Sequence, residues 1–105
     1  MKTTRFDVAE YLDTPERQAE YISASLETGD SAFVRDAVGI VARARGMADI
    51  ARAAGLNRES LYKALGEAGN PELGTMLGVL RALGLELTAR PLKRKPAHRR
   101  VRKAA

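Results

Sequence analysis

Apolar residues recur along this chain three and four positions apart, and short polar stretches rich in Gly, Pro, Asn or Asp interrupt them at intervals. A short opening segment, residues 7–12, sets Val8, Tyr11 and Leu12 on one face. Thr14 followed by Pro15 reads as a helix start, because the hydroxyl can cap and proline at the first helical position lacks only an N–H that has no partner there. Ala19, Ile22 and Leu26 follow at helical spacing, with Tyr21 and Ser25 alongside, and Gly29 ends the run. Asp30 or Ser31 caps the next helix. Its Phe33, Val34, Ala37, Val38, Val41 and Ala44 predict a broad buried stripe, with Arg35, Asp36, Arg43 and Arg45 facing out and Gly46 closing the helix.

Residues 47–65, MADIARAAGLNRESLYKAL, then predict two short helices joined by a glycine turn. Ile50, Ala54 and Leu61 supply apolar surface, small Ala51 lets two helices cross closely, Gly55 permits a left-handed turn, and Asn57 is placed to cap the second helix. The outer face is polar, and this is the geometry that sets a helix into the DNA major groove. Gly66, Gly69, Asn70 and Pro71 make a loop, after which Leu73, Met76, Leu77, Leu80 and Leu83 form the apolar face of a last helix stopped by Gly84. Leu65, Met47 and Met76 read as core. Residues 85–89, LELTA, alternate like a short strand, to be paired with another copy or laid on the core as extended coil. From Arg90 the run RPLKRKPAHRRVRKAA has no apolar period and repels itself, which predicts a disordered basic tail.

The expected fold is therefore all-α: a compact five- to six-helix domain containing a helix-turn-helix, with a short C-terminal strand as one of two readings of LELTA. Residues 1–90 form the helical domain, with N-terminal helices over 1–45 and the helix-turn-helix core over 46–85, and residues 91–105 form the flexible basic tail. A chain of 105 residues, 45% apolar, suits one such core and not two.

Charge is divided unevenly. Residues 1–36 carry eight acids against four bases, residues 37–89 six bases against five acids, and residues 90–105 eight bases and no acid. The front suits solvent or a cationic partner; the tail suits solvent or phosphates. Without cysteine there is no disulfide frame, thiolate nucleophile or cysteine metal site. The first residues hold no apolar run of signal-peptide kind and no stretch reaches the roughly 18 apolar residues of a membrane span, so a soluble cytoplasmic protein is expected. His98, the single histidine, lies in the basic tail without a Ser, Cys or carboxylate neighbour, and no His or Cys pair has ligand spacing. Gly66 and Gly69 neither follow a strand nor precede Lys-Ser/Thr, unlike a phosphate-binding loop. No enzyme activity, cofactor or metal is expected.

The run from Ile50 to Leu85, with Ala51, Gly55, Leu56, Leu61, Pro71, Leu73, Leu77, Leu80, Leu83 and Gly84 in register, resembles the helix-turn-helix of XRE-type (phage repressor and Cro-like) transcription factors. Together with FDVAEYL, VARARGM and LNRESLYKALGEAGNPELGTMLGVLRALGL, the whole of residues 4–89 resembles HigA-like addiction-module antidote proteins, the antitoxins of toxin pairs. The basic extension after Arg90 is longer than that family's core requires. The resemblance implies an antitoxin that binds and neutralises a RelE/HigB-like ribonuclease toxin and represses its own operon, as a homodimer on operator DNA. Carried onto this sequence, the tip of the second helix nominates Arg58, Glu59, Ser60, Tyr62 and Lys63 as DNA contacts, with the capping Asn57 beside them. Arg58 suits a bidentate contact to guanine, Glu59 a cytosine amine and Ser60 a base or phosphate, while Lys63 and Arg52 suit phosphates. Tyr62 suits a thymine methyl or sugar, or else packs on the loop around Pro71. Such toxins bind RNA and are expected to be basic, which nominates the acidic, aromatic front, Phe6, Asp7, Tyr11, Leu12 and Tyr21, as toxin surface; Phe6, Tyr11 and Leu12 equally suit the chain's own core. Two other readings stay open: an XRE-type regulator with no toxin partner, and a protein-interaction module that has lost DNA reading.

Overall fold

The computed structural model describes residues 8–92, with side chains from residue 10 onward. It is all-helical: α1 (Val8–Tyr11), α2 (Pro15–Glu27), α3 (Ser31–Arg45), α4 (Met47–Ala54), α5 (Arg58–Ala64) and α6 (Leu73–Ala82). Local chemistry sets the boundaries. The Thr14 hydroxyl accepts from the Arg17 N–H at 3.1 Å ahead of Pro15. Asp30, rather than Ser31, caps α3, its carboxylate accepting from the N–H groups of Ala32 and Phe33 at 2.9 and 3.2 Å. A single residue, Gly46 at φ +111°, both ends α3 and begins α4, a backbone state that side-chain-bearing residues rarely adopt.

α3 is the centre of the packing, lying against α1, α2 and α4, while α4 also meets α5 and α6. The core gathers Leu12, Ile22, Val38, Val41, Ala42, Met47, Ile50, Ala51, Leu61, Leu65, Val79, Leu80 and Leu83. Gly39, buried in mid-α3, allows a close approach: a Cβ there would lie 3.3 Å from the Leu65 carbonyl oxygen. Gln18 is buried within this assembly with both ends of its amide satisfied. Its Nε2 donates to the Leu12 carbonyl at 3.1 Å, and its Oε1 accepts from Arg45 Nη1 at 3.0 Å.

Several positions depart from the helical-face reading. On α3 the buried stripe is narrower than expected, since Phe33 is 49% exposed and Ala44 is also exposed, while Ala42 takes a core place. Arg35 and Arg45 do not simply face out. Arg45 Nη1 also donates to the Leu83 carbonyl at 3.0 Å, and the Arg35 side chain is only 12% exposed. On α6 the core side is Val79, Leu80 and Leu83, with Met76 partly buried, whereas Leu73 and Leu77 are 67% and 38% exposed. α6 packs on α4 with Val79, Leu80 and Leu83 inward, which leaves Leu73 and Leu77 at the outer edge of the apolar face. Residues 85–89 form no strand: Leu85 packs on the core as irregular chain, the second reading of LELTA, and Leu87 is half exposed. Among the described residues no helix is long and apolar enough to cross a membrane. Residues 93–105, including His98, lie outside the described residues.

Candidate nucleic-acid interface

α4 and α5 are joined by three residues, and each has a job. Gly55 takes the left-handed state, φ +75°, so that its N–H and that of Leu56 close back on α4. Leu56 is partly buried against the core. Asn57 is extended, and its Oδ1 accepts from the Ser60 N–H at 2.7 Å, capping α5. Because Oδ1 is committed to the cap, the side-chain amide N–H donors of Asn57 are the part of the group left to meet a ligand.

A single fully buried residue, Leu61, holds α5 to the core, with buried Leu65 just past its end. Around Leu61 the other positions turn outward: Arg58, Glu59, Ser60, Tyr62 and Lys63 are all exposed, and Arg58, Glu59, Tyr62 and Lys63 line one shallow open depression. Tyr62 is 41% exposed. The Arg58 guanidinium lies over its ring, 5.6 Å from the centroid, one helical turn away. That contact holds a cation and an aromatic face together at the tip of the helix. Arg52, on α4, is also exposed and is paired with exposed Asp49 at 3.1 Å.

Of the nominated DNA-contact residues, Arg58, Glu59, Tyr62 and Lys63 therefore share one surface of α5, Asn57 caps that helix, and Ser60 and Arg52 are exposed on α5 and α4. The described members of the front-end set, Tyr11, Leu12 and Tyr21, differ in burial. Leu12 is 2% exposed and belongs to the chain's own core, so of its two readings it takes the second. Tyr21 is partly buried against that core. Tyr11 is 39% exposed and lies beneath the Arg17 guanidinium, 5.1 Å from the ring centroid. Phe6 and Asp7 lie outside the described residues. Two structural cations escaped the sequence reading, Arg35 and Arg45, because nothing in a helical pattern distinguishes a solvated arginine from one that reaches a distant carbonyl.

Comparison with known proteins concerns the chain as a whole. A family model described as "probable addiction module antidote protein" matches residues 2–91. An uncharacterized protein of Haemophilus influenzae is 44% identical over 81 residues, covering 77% of this chain and 84% of the relative. No solved structure matches the chain.

Proposed function

The chain belongs to the addiction-module antidote family, and from that premise we propose that it is a DNA-binding cytoplasmic antitoxin that binds a RelE/HigB-like ribonuclease toxin directly and represses its own operon. The observation that carries the DNA half is the exposed polar tip of α5, where Arg58, Glu59, Ser60, Tyr62 and Lys63 surround one buried anchor, Leu61. In this reading α4 and α5 act as a helix-turn-helix: α5 enters the major groove, Arg58 and Glu59 meet base edges, and Asn57, Ser60, Lys63 and Arg52 meet phosphates or bases.

One recognition helix buries little surface, so affinity comes from a two-fold pair reading half-sites about one helical turn apart. Leu73 and Leu77, exposed one turn apart on α6, supply apolar surface for that pairing. For the toxin the remaining front-end surface is Tyr11 and Tyr21, with Phe6 and Asp7 preceding them.

The test is binding of the full chain to DNA from upstream of its own gene, against unrelated DNA of equal length. Preference for the upstream fragment, lost in Arg58→Ala with helicity unchanged, supports base reading. Equal binding to both sequences, or none at any salt, overturns it. Co-expression with the neighbouring gene product tests the toxin half: a stable complex that stops ribonuclease activity is expected. A second reading, a protein-interaction module, is favoured by one observation. Asp49, Glu59 and Glu67 balance Arg52, Arg58 and Lys63 over residues 49–67, so the helix-turn-helix segment carries no net charge.

A further inference from the structure

α2 carries an acidic stripe that its own helix leaves uncompensated. Glu16, Glu20 and Glu27 are spaced four and seven apart, which with Ser23 between them places all on one helical face, and all three are exposed. Arg17, the one base of α2, is already engaged, paired with Asp13 at 2.8 Å and stacked on Tyr11. Beside the stripe runs an apolar groove. Ala19, Ile22 and Leu26 form one wall; Leu80, Leu85 and Leu87 form the other, and Glu86 adds a further carboxylate at its rim.

The chain's own C-terminal segment begins at the end of this groove. Arg90 Nη2 lies 3.9 Å from Glu27 Oε2, so the first cation after the groove wall already meets the last acid of the stripe. Beyond Leu92, residues 93–105 hold seven Lys and Arg and no acid. Thirteen residues reach up to about 43 Å when extended, roughly twice the length of a 13-residue helix, so a segment rooted at Glu27 can run the whole of α2.

We propose that residues 93–105 dock in cis along the acidic face of α2, with Val101 the side chain suited to the groove. Charge complementarity, the position of the root and the available length all select this occupant. The docked segment then withholds its cations from other polyanions until one displaces it, so that α2 competes with nucleic acid for the tail. The docking does not depend on the DNA reading and can be measured without DNA.

The chain has no native cysteine, so Ala104→Cys gives one site for a nitroxide label in the full-length protein. In low salt, selective loss of amide cross-peak intensity along Glu16, Glu20, Ser23, Glu27 and residues 84–87 is expected. It should disappear in Glu16→Gln/Glu20→Gln/Glu27→Gln, and near 1 M salt, where the screening length falls to about 3 Å. Uniform broadening, none, or broadening centred on α5 or α6 overturns the proposal. So does equal broadening when labelled chains are mixed with isotope-enriched unlabelled ones, since the contact would then run between copies.

Discussion

Arg35 Nη1 donates to the Gly69 carbonyl at 3.0 Å, tying α3 to the loop after α5 across 34 positions of sequence. The same guanidinium pairs with Asp36 at 2.8 Å, and the arginine side chain is only 12% exposed. The bond fixes the loop that separates α5 from α6. Arg35→Ala is expected to destabilise the fold by about 1–3 kcal/mol, the range for a hydrogen bond from a charged group that leaves its partner unsatisfied. Urea denaturation should show a lower midpoint with an unchanged slope. An unchanged midpoint would mean that water replaces the guanidinium without cost.

Gly69 faces a second constraint from its other side. A Cβ built there would collide with the carbonyl oxygens of Lys63 and Ala64 at the end of α5. Backbone cannot yield as a flexible side chain can, so Gly69→Ala should cost about 1–3 kcal/mol by the same assay. Gly74, where a Cβ meets nothing within 4 Å, is the control: Gly74→Ala lies inside α6 and should be neutral or stabilising by up to about 1 kcal/mol.

Helix boundaries were legible in the sequence because they depend on residues one to three positions apart. Thr14–Pro15, Asp30, Gly46, Gly55 and Asn57 each act where local chemistry put them. Burial was legible on α4 and α5, where Ile50, Ala51 and Leu61 are buried as their spacing predicts. It was not on α6. The positions Leu73, Met76, Leu77, Val79, Leu80 and Leu83 form an apolar stripe roughly 160° wide at 100° per residue, and which edge of it is buried is decided by packing on α4, far away in sequence. Gln18 and Arg45 were opaque for a similar reason: each is polar, and each is placed by a carbonyl from another part of the chain.

Asn57 has two separable properties, the cap and the neutral amide it presents beside the α5 tip. Asn57→Ala removes the acceptor for the Ser60 N–H and should cost about 0.5–2 kcal/mol. Asn57→Asp keeps an oxygen in that place and should leave the urea midpoint nearly unchanged. If the tip faces a duplex, the added negative charge should nevertheless weaken DNA binding. Equal loss of stability in both variants would show that the amide donors, and not the cap, are what the fold uses.

Leu61 and Tyr62 are adjacent in sequence and should divide stability from recognition. Leu61 is fully buried, so Leu61→Ala should destabilise by about 2–5 kcal/mol. Tyr62 is 41% exposed and its ring lies under the Arg58 guanidinium, so Tyr62→Ala should change stability by about 0.5 kcal/mol or less. Under the proposed groove reading, operator affinity falls in Tyr62→Ala while thermal unfolding is unaltered. A large loss of stability instead would assign the ring to packing.

The salt dependence of DNA binding offers a joint test of the tail and of α2. Each phosphate contact contributes about 0.9 to the slope of log affinity against log salt, so seven free tail cations, all engaged, would contribute roughly six. Replacing the seven with Gln should lower affinity for operator and unrelated DNA alike, because phosphate contacts carry no sequence information. If α2 competes for the same cations, the observed constant is the intrinsic one divided by one plus the docking constant. Docking itself weakens as salt rises, which partly offsets the loss of DNA affinity and makes the native slope shallower than the free-tail value. Glu16→Gln/Glu20→Gln/Glu27→Gln should therefore bind DNA more tightly at low salt and show a steeper slope, converging on the native chain near 1 M salt, where screening has already released the tail. Parallel lines for the native and triple-Gln chains would leave the tail with no competitor on α2.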